Sequence, residues 1–586
     1  VFTIIHQPSS DILKMFDKLW ILDKGGYMIY DGDPIEALVY FKTETSQANA
    51  AESECPNCGN IETESILHIV EVKVIDSAGY AGKERQVSPK DWYEKYKKKM
   101  MPVLKEKPPK TALPPSNFRV PEKKEQLKTF IRRNITRKKA DKQYMAISLL
   151  EVPLLALILG FISKYSEQGV YSFGANKNYP VFLFMAIIVA LFVGLTVSAE
   201  EIFRDRKILE REKFLHISRS SYLFSKIAFL FFISAIQSLS FVIVANLLLE
   251  VKGMHFQQWL VLFSIACFGN VLGLNISAGM RTAVSIYILI PLLLVPMLLL
   301  GGAMIKFDDL HKSLSKNIYV PVIGDAMATR WAYEALMVDQ FKSNRWEKPL
   351  FEYDMEISQT GWYNAFLIPT LRMKIDECRR VTGDPKFEEL CRNNLKTLRY
   401  HLDELEEETG VEAGSWILDL NIKDFSALTG DHAKAYLDSL TGVIRSRNRR
   451  FSDMKDELTR SLVAEMGSEK YQALKEANYN ENVANFVLNR LSMNKINDVE
   501  KRLIQKADPV FQKPGSKYGR AHFYAPYKLI GNLRIDTLFF NVIAIWIMTG
   551  TLFVTLYFNV LKRFIEFLET LKIPIWRQFG RELLQR

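Results

Sequence analysis

Cysteine is scarce, five residues in a chain of 586, and this excludes a disulfide-stapled scaffold. Catalytic signatures are missing too. There is no HExxH for a metalloprotease, no GxSxG for a hydrolase, and no pair of aspartates inside an apolar run for an intramembrane aspartyl protease. No internal repeat marks a solenoid. What is present is 48% hydrophobic and 12% aromatic, which excludes wholesale disorder, and the length requires two to four structural units rather than one core. The net charge of +11 does not call for nucleic acid, because Lys and Arg also mark one side of a membrane. No nucleic-acid partner is expected. The sequence opens on Val1 inside an apolar, strand-like run, so the chain is expected to continue upstream.

Six apolar stretches approach the roughly 20 residues that a helix needs to cross a bilayer. Five crowd together, at Tyr144 to Ser163, Tyr179 to Ala199, Ile227 to Leu249, Trp259 to Gly279 and Ala283 to Ile305. The sixth, Leu538 to Val560, contains FFNVIAIWIMTGTLFVTLYF without a charge. The near absence of charge inside these runs predicts a polytopic α-helical membrane protein with six transmembrane helices. Lys123, Lys124, Lys128, Arg132, Arg133, Arg137, Lys138, Lys139 and Lys142 place the side before the first span in the cytoplasm. The loop between the second and third spans is basic as well, with Arg204, Arg206, Lys207, Arg211, Lys213 and Arg219, whereas the alternate loops are sparse. Lys562, Arg563, Lys572, Arg577 and Arg581 return residues 562–586 to the cytoplasm as a tail. The long segment 307–535 is therefore expected on the outer face. Its apolar spacing, as in KFEELCRNNLKTLRYHLDELEEE, predicts a helical insertion, in which Cys378 and Cys391 either pair across antiparallel helices or stay as buried thiols.

Outside the membrane, residues 1–41 read as strand, helix, strand, Gly25-Gly26 turn, strand and helix, an α/β pattern. Residues 1–90 form one expected unit and 91–124, rich in Lys and Pro, a solvated linker in reach of lipid. Residues 125–143 place Leu127, Phe130, Ile131 and Ile135 on one side of a basic helix suited to the membrane interface. Residues 144–306 hold the first five spans, 536–561 the sixth.

Three stretches carry a family resemblance. The run Phe2-Thr3-Ile4-Ile5-His6-Gln7-Pro8, followed by FDKLWILDKGGYMIYDG and EALVYF, resembles the switch-histidine region of an ABC transporter ATPase domain of the G, or white and pleiotropic-drug-resistance, subfamily. Residues 200–226, with Arg204, Arg206, Ile208, Leu209, Arg211 and Glu212, are similar to that subfamily's cytoplasmic loop with its coupling helix. Thr329 to Val338 looks like the re-entrant segment that precedes its outer loop. The resemblance covers about half of the chain and not the outer helical insertion. It implies that residues 1–90 are the C-terminal remnant of an α/β ABC ATPase domain. It also implies that His6 addresses the γ-phosphate of ATP, that ATP and Mg2+ are the cofactors, and that a second copy or a related half-transporter completes the machine. The GxxxxGKS/T phosphate loop, the magnesium carboxylate and the signature sequence are absent, so this stretch by itself cannot hydrolyse ATP.

Two further features are weaker. Cys55-Pro56-Asn57-Cys58-Gly59 reads either as half of a four-cysteine Zn2+ site or as an ordinary thiol-bearing turn. Leu298, Leu299 and Leu300, before Gly301 and Gly302, form a candidate apolar gate, although such runs commonly face lipid. The sequence therefore points to an ATP-driven half-transporter, an exporter working by alternating access in the cell or bacterial inner membrane, with an unidentified substrate. Its rival is a non-transporting membrane scaffold or receptor with a vestigial ATPase domain and a partner-binding outer domain.

Overall fold

The computed structural model describes residues 2–5, 9–52, 63–75, 81–104, 120–166, 169–311, 313–314, 318–381, 387–499 and 502–570. The chain divides into two compact units, residues 1–119 and 120–586.

The first unit contains α1 (Ser10–Leu13), β1 (Leu19–Asp23), β2 (Tyr27–Gly32), α2 (Glu36–Glu44), α3 (Thr63–Glu71), β3 (Lys73–Ile75), β4 (Ala81–Arg85), α4 (Pro89–Lys99) and α5 (Met101–Leu104). Gly25 and Gly26, both at positive φ, close the antiparallel β1–β2 hairpin. Ile29, Tyr30, Leu38, Phe41, Ile69 and Trp92 make its core. Two expectations change here. Residues 2–5 belong to no strand, and the described strands of this unit form two antiparallel hairpins without them. The folded unit also reaches past residue 90. A capping box between Ser88 and Asp91 starts α4, which buries Trp92 and Tyr96 one turn apart beneath its lysines.

The second unit begins with α6 (Lys123–Ala140), α7 (Lys142–Ser163), α8 (Tyr179–Ser198), α9 (Glu201–Arg211), α10 (Arg219–Leu249), α11 (His255–Gly279) and α12 (Ala283–Leu299). The chain then builds α13 (Val322–Asp325), α14 (Ala328–Lys342), α15 (Phe351–Trp362), α16 (Ile368–Val381), α17 (Glu388–Thr409), α18 (Ala427–Met466), α19 (Ser468–Asn478) and α20 (Glu481–Val487). Two hairpins follow, β5 (Ile496–Val499) with β6 (Arg502–Gln505) and β7 (Tyr527–Ile530) with β8 (Leu533–Asp536), before α21 (Thr537–Tyr557) and α22 (Val560–Thr570).

Among the described residues, five helices are long and apolar enough to cross a membrane: α7, α8 with its α9 extension, α10, α11 and α21. The expected fifth run, Ala283 to Ile305, is helical only over the 17 residues of α12, which runs through Pro291 and Pro296, is capped by Leu300 and ends before Gly302 turns the chain at positive φ. The bundle packs around α11. A Cβ at Gly194 of α8 would collide with the Ala266 carbonyl of α11, one at Gly273 of α11 would collide with Ser198 Oγ of α8, and one at Gly269 would lie 2.7 Å from Leu191 O. Small residues spaced by four let the two backbones touch, the packing that holds helices together in lipid. Polar side chains add cross-links. Asn246 donates to Gln258 (2.7 Å), Gln258 to Tyr179 (2.9 Å) and Tyr179 to Gln340 (3.0 Å), joining α10, α11, α8 and α14. Asn270 donates to Ser234 (2.8 Å) and Asn275 to the Leu552 carbonyl (2.9 Å). These asparagines bond neighbouring helices.

The insertion expected between the last spans is mostly helical. Its core is Leu371, Ile375, Leu395, Leu398, Leu402, Leu437 and Leu440, drawn from α16, α17 and α18. Cys378 directs its thiol at the Cys391 carbonyl, 3.6 Å away, and both are thiols. His401 accepts from the Leu503 amide (2.8 Å) and so ties β6 to α17.

Candidate functional site

The best-organised polar cluster lies where α6, α9 and α10 meet at one end of the bundle. On α9, Glu201 and Asp205 stand one turn apart and face inward, both buried. The ammonium of Lys226 on α10 is 2.8 Å from Glu201 Oε2 and 2.8 Å from Asp205 Oδ2. From α6, Lys138 pairs with Glu201 and Arg137 with Asp205, while the Tyr222 hydroxyl donates to Asp205 at 3.1 Å. Arg133 closes the row with two bonds to Glu212, 2.9 and 3.1 Å. Every carboxylate has a cation, so the desolvation that would expel single charges is offset pairwise. Beneath the charges Phe130, Tyr222, Leu223 and Leu230 pack together, and Asn134 donates to Ser225 at 3.0 Å.

α9 is also pinned to α11. Ser277 Oγ accepts from the amides of Ile202 (3.0 Å) and Phe203 (2.9 Å), satisfying donors at the helix start. Arg206 donates to the carbonyls of Ala278 (3.3 Å) and Met280 (2.9 Å), which leave α11 without intrahelical partners. A force on α9 thus reaches three helices through ion pairs and helix caps.

The residues expected in this loop divide into two groups. Arg206 and Glu212 hold the loop to its neighbours, and Leu209 packs into the apolar layer below. Arg204, itself exposed, pairs with Glu200, Arg211 is exposed, and Ile208 points outward. Beside Ile208 the turn after α9 presents Phe214, 74% exposed, and Leu215. Sequence reading missed Glu201, Asp205 and Lys226 as a unit. The signal was the i, i+4 spacing of two acids opposite a lysine at the start of an apolar run.

The leucine triplet falls at the other end of the bundle. Leu298 is half-buried against the main core, Leu299 ends α12 exposed, and Leu300 caps it. Thr329 donates to the Met297 carbonyl at 2.6 Å and fixes that end against α14. Nearly every residue of α14 is buried, between α8, α11 and α21. Its Glu334 accepts from Lys528 (2.7 Å) and Asn541 (2.9 Å), joining α14 to β7 and α21, and burial pulls the Lys528 ammonium down to about 8. His6, Cys55, Cys58 and Arg577 lie outside the described residues, and among the described residues no group of His, Cys, Asp or Glu is arranged to hold a metal.

The fold is that of an integral membrane protein, packed apolar helices with a charged helix pinned across one end. Residues 125–341, from α6 to the end of α14, match the family model described as ABC-2 type transporter, which supports an ABC transporter permease over that stretch. No curated protein matches the chain.

Proposed function

We propose that the chain is the permease-bearing part of an ATP-driven half-transporter of the G-type ABC subfamily, exporting its substrate by alternating access as a dimer. The observation that carries this reading is α9: it is bonded rigidly to α6, α10 and α11 while Ile208, Phe214 and Leu215 are left open, as a lever needs for an ATPase domain to push on. In this reading α12 is the fifth span in chain order and brings the five long helices to six. It starts beside α9, where Tyr287 donates to Glu200, and ends beside α14, so it runs the depth of the bundle although it sits at the short limit for a span. The α9 end is the cytoplasmic side of the cell or bacterial inner membrane, and the outward stripe Val284, Ile288, Leu292, Val295 and Leu299 of α12 is offered to the second permease. That second permease is another copy or a related half-transporter.

ATP and Mg2+ belong to the complete transporter. Of the groups that would hold them this sequence has only His6, so no hydrolytic step is derived from the described residues. Zn2+ at Cys55 and Cys58 would be structural, shared between two chains.

The test is Phe214→Asp in the complete transporter, reconstituted in proteoliposomes. It should leave thermal stability unchanged, because Phe214 is exposed, and reduce ATP-dependent efflux about tenfold or more by burying a charge in the docking contact. Unaltered efflux would overturn the assignment of this surface.

A further inference from the structure

The helix after the last span presents a second surface. α21 ends at Tyr557, and Asn559, at positive φ, turns the chain into α22. Arg219 fixes the turn by donating to the Leu556 carbonyl (3.0 Å) and to Asn559, with its guanidinium over the Tyr557 ring. An arginine and a tyrosine at a helix end are the anchors of a membrane–water boundary. α22 thus starts at that boundary, at the end of the bundle that holds α6 and α9.

The sequence of α22 separates cleanly around the helix. Val560, Leu561, Phe564, Ile565, Phe567 and Leu568 share one side, while Lys562, Arg563, Glu566 and Glu569 share the other. One flank of the apolar side is used: Leu561 packs so closely on Gly279 of α11 that a Cβ there would lie 3.1 Å away, and Arg281 pairs with Glu569 at 3.0 Å. These contacts fix the roll of the helix. They leave Phe564 and Phe567 55% and 57% exposed, beside exposed Val560 and Leu568. α6 behaves differently at the same end of the bundle, burying its Phe130 against Tyr222. Leaving two half-exposed phenyl rings in water is unfavourable, and apolar contact removes that penalty.

We propose that α22 is a membrane-surface anchor, seating Phe564, Phe567 and Leu568 at the acyl–headgroup boundary of an anionic leaflet. Charge selects the leaflet. Within α22 Lys562 and Arg563 are matched in number by Glu566 and Glu569, and the basic excess comes from Lys572, Arg577 and Arg581, which follow in the sequence. Basic residues next to a span draw it to phosphatidylserine-type headgroups. Transport plays no part in this inference, which depends only on α21 being in the membrane.

The whole chain, reconstituted in nanodiscs of phosphatidylcholine and phosphatidylserine, tests it with p-benzoylphenylalanine in place of Phe567 or Lys562. Because the probe is a phenylalanine analogue, the fold is retained at position 567. Illumination should join position 567 to lipid, with a yield about fivefold above that of position 562. In pure phosphatidylcholine the yield at 567 should fall about twofold or more. Cross-linking of 567 to a second copy or to an ATPase domain, no cross-link at all, or equal yields at both positions would each overturn the anchor. A yield indifferent to phosphatidylserine would overturn the anionic preference.

Discussion

The ammonium of Lys226 lies 2.8 Å from the Glu201 carboxylate, a buried ion pair that ties the start of α10 to the start of α9. Lys226 serves Asp205 equally, at 2.8 Å, so one lysine is the shared counter-charge of both inward carboxylates of α9.

Lys226→Met leaves two buried carboxylates with the α6 cations alone. Unfolding of the purified protein should become easier by about 3–5 kcal/mol, the cost of an uncompensated buried charge. Adding Glu201→Gln removes one of the stranded charges and should restore part of the loss. Additive effects of the two substitutions in thermal denaturation would contradict a shared network.

Gly273→Val should break the α8–α11 contact, since its side chain has to enter the space of Ser198 and the Leu195 carbonyl, 2.7 Å from the first added carbon. A loss of about 3 kcal/mol or of monodisperse protein is expected. Gly550→Ala is the control, because a Cβ there meets nothing within 4 Å. Size-exclusion profiles and melting temperatures of the two variants decide the matter.

Glu347 is buried in the turn between α14 and α15, and desolvation, helped by nearby Asp354, pushes its carboxyl up to about 8. Its folded value stands above the unfolded one of about 4.5, so the folded state holds the proton more tightly and stability falls as pH rises from about 4.5 to 8. Glu347→Gln should flatten that decline and gain about 1–3 kcal/mol at pH 8 while changing little at pH 4.5. Equal pH profiles for the two proteins would contradict a buried protonated carboxyl.

Labelling of single cysteines tests the sidedness. Positions near Lys177 and Glu389 should react with an impermeant maleimide from outside intact cells, and positions near Glu212 and Arg577 only after permeabilisation. In the structure Gly174 bonds to Glu476 and Asn480 to the Phe173 carbonyl, so the loop after α7 and the large insertion share one end of the bundle. Glu389 and Lys177 reacting from opposite sides would contradict this arrangement.

The spans were legible because transfer into hydrocarbon is a sum over local residues, so an uncharged run such as Leu538 to Val560 announces α21 by composition alone. The Gly25-Gly26 turn was legible for a similar reason, since positive φ is a property of one residue at a time. α4 was hidden, because its lysines outweigh Trp92 and Tyr96 in any average although those two alone decide its burial. The charged segment that forms α9 stood out in the sequence, but its inner face did not. In the run from Glu200 to Glu212 acids and bases are mixed, and the i, i+4 spacing of Glu201 and Asp205 does not say which side of the helix is buried. Only the tertiary structure decides, by setting Lys226, Lys138 and Arg137 from two other helices against one side of α9. The sequence determined which segments leave water, since that depends on each segment's own surface. Which charges are buried, and which phenylalanines of α22 are left uncovered, depends on partners distant in the chain, and the fold alone assigns those.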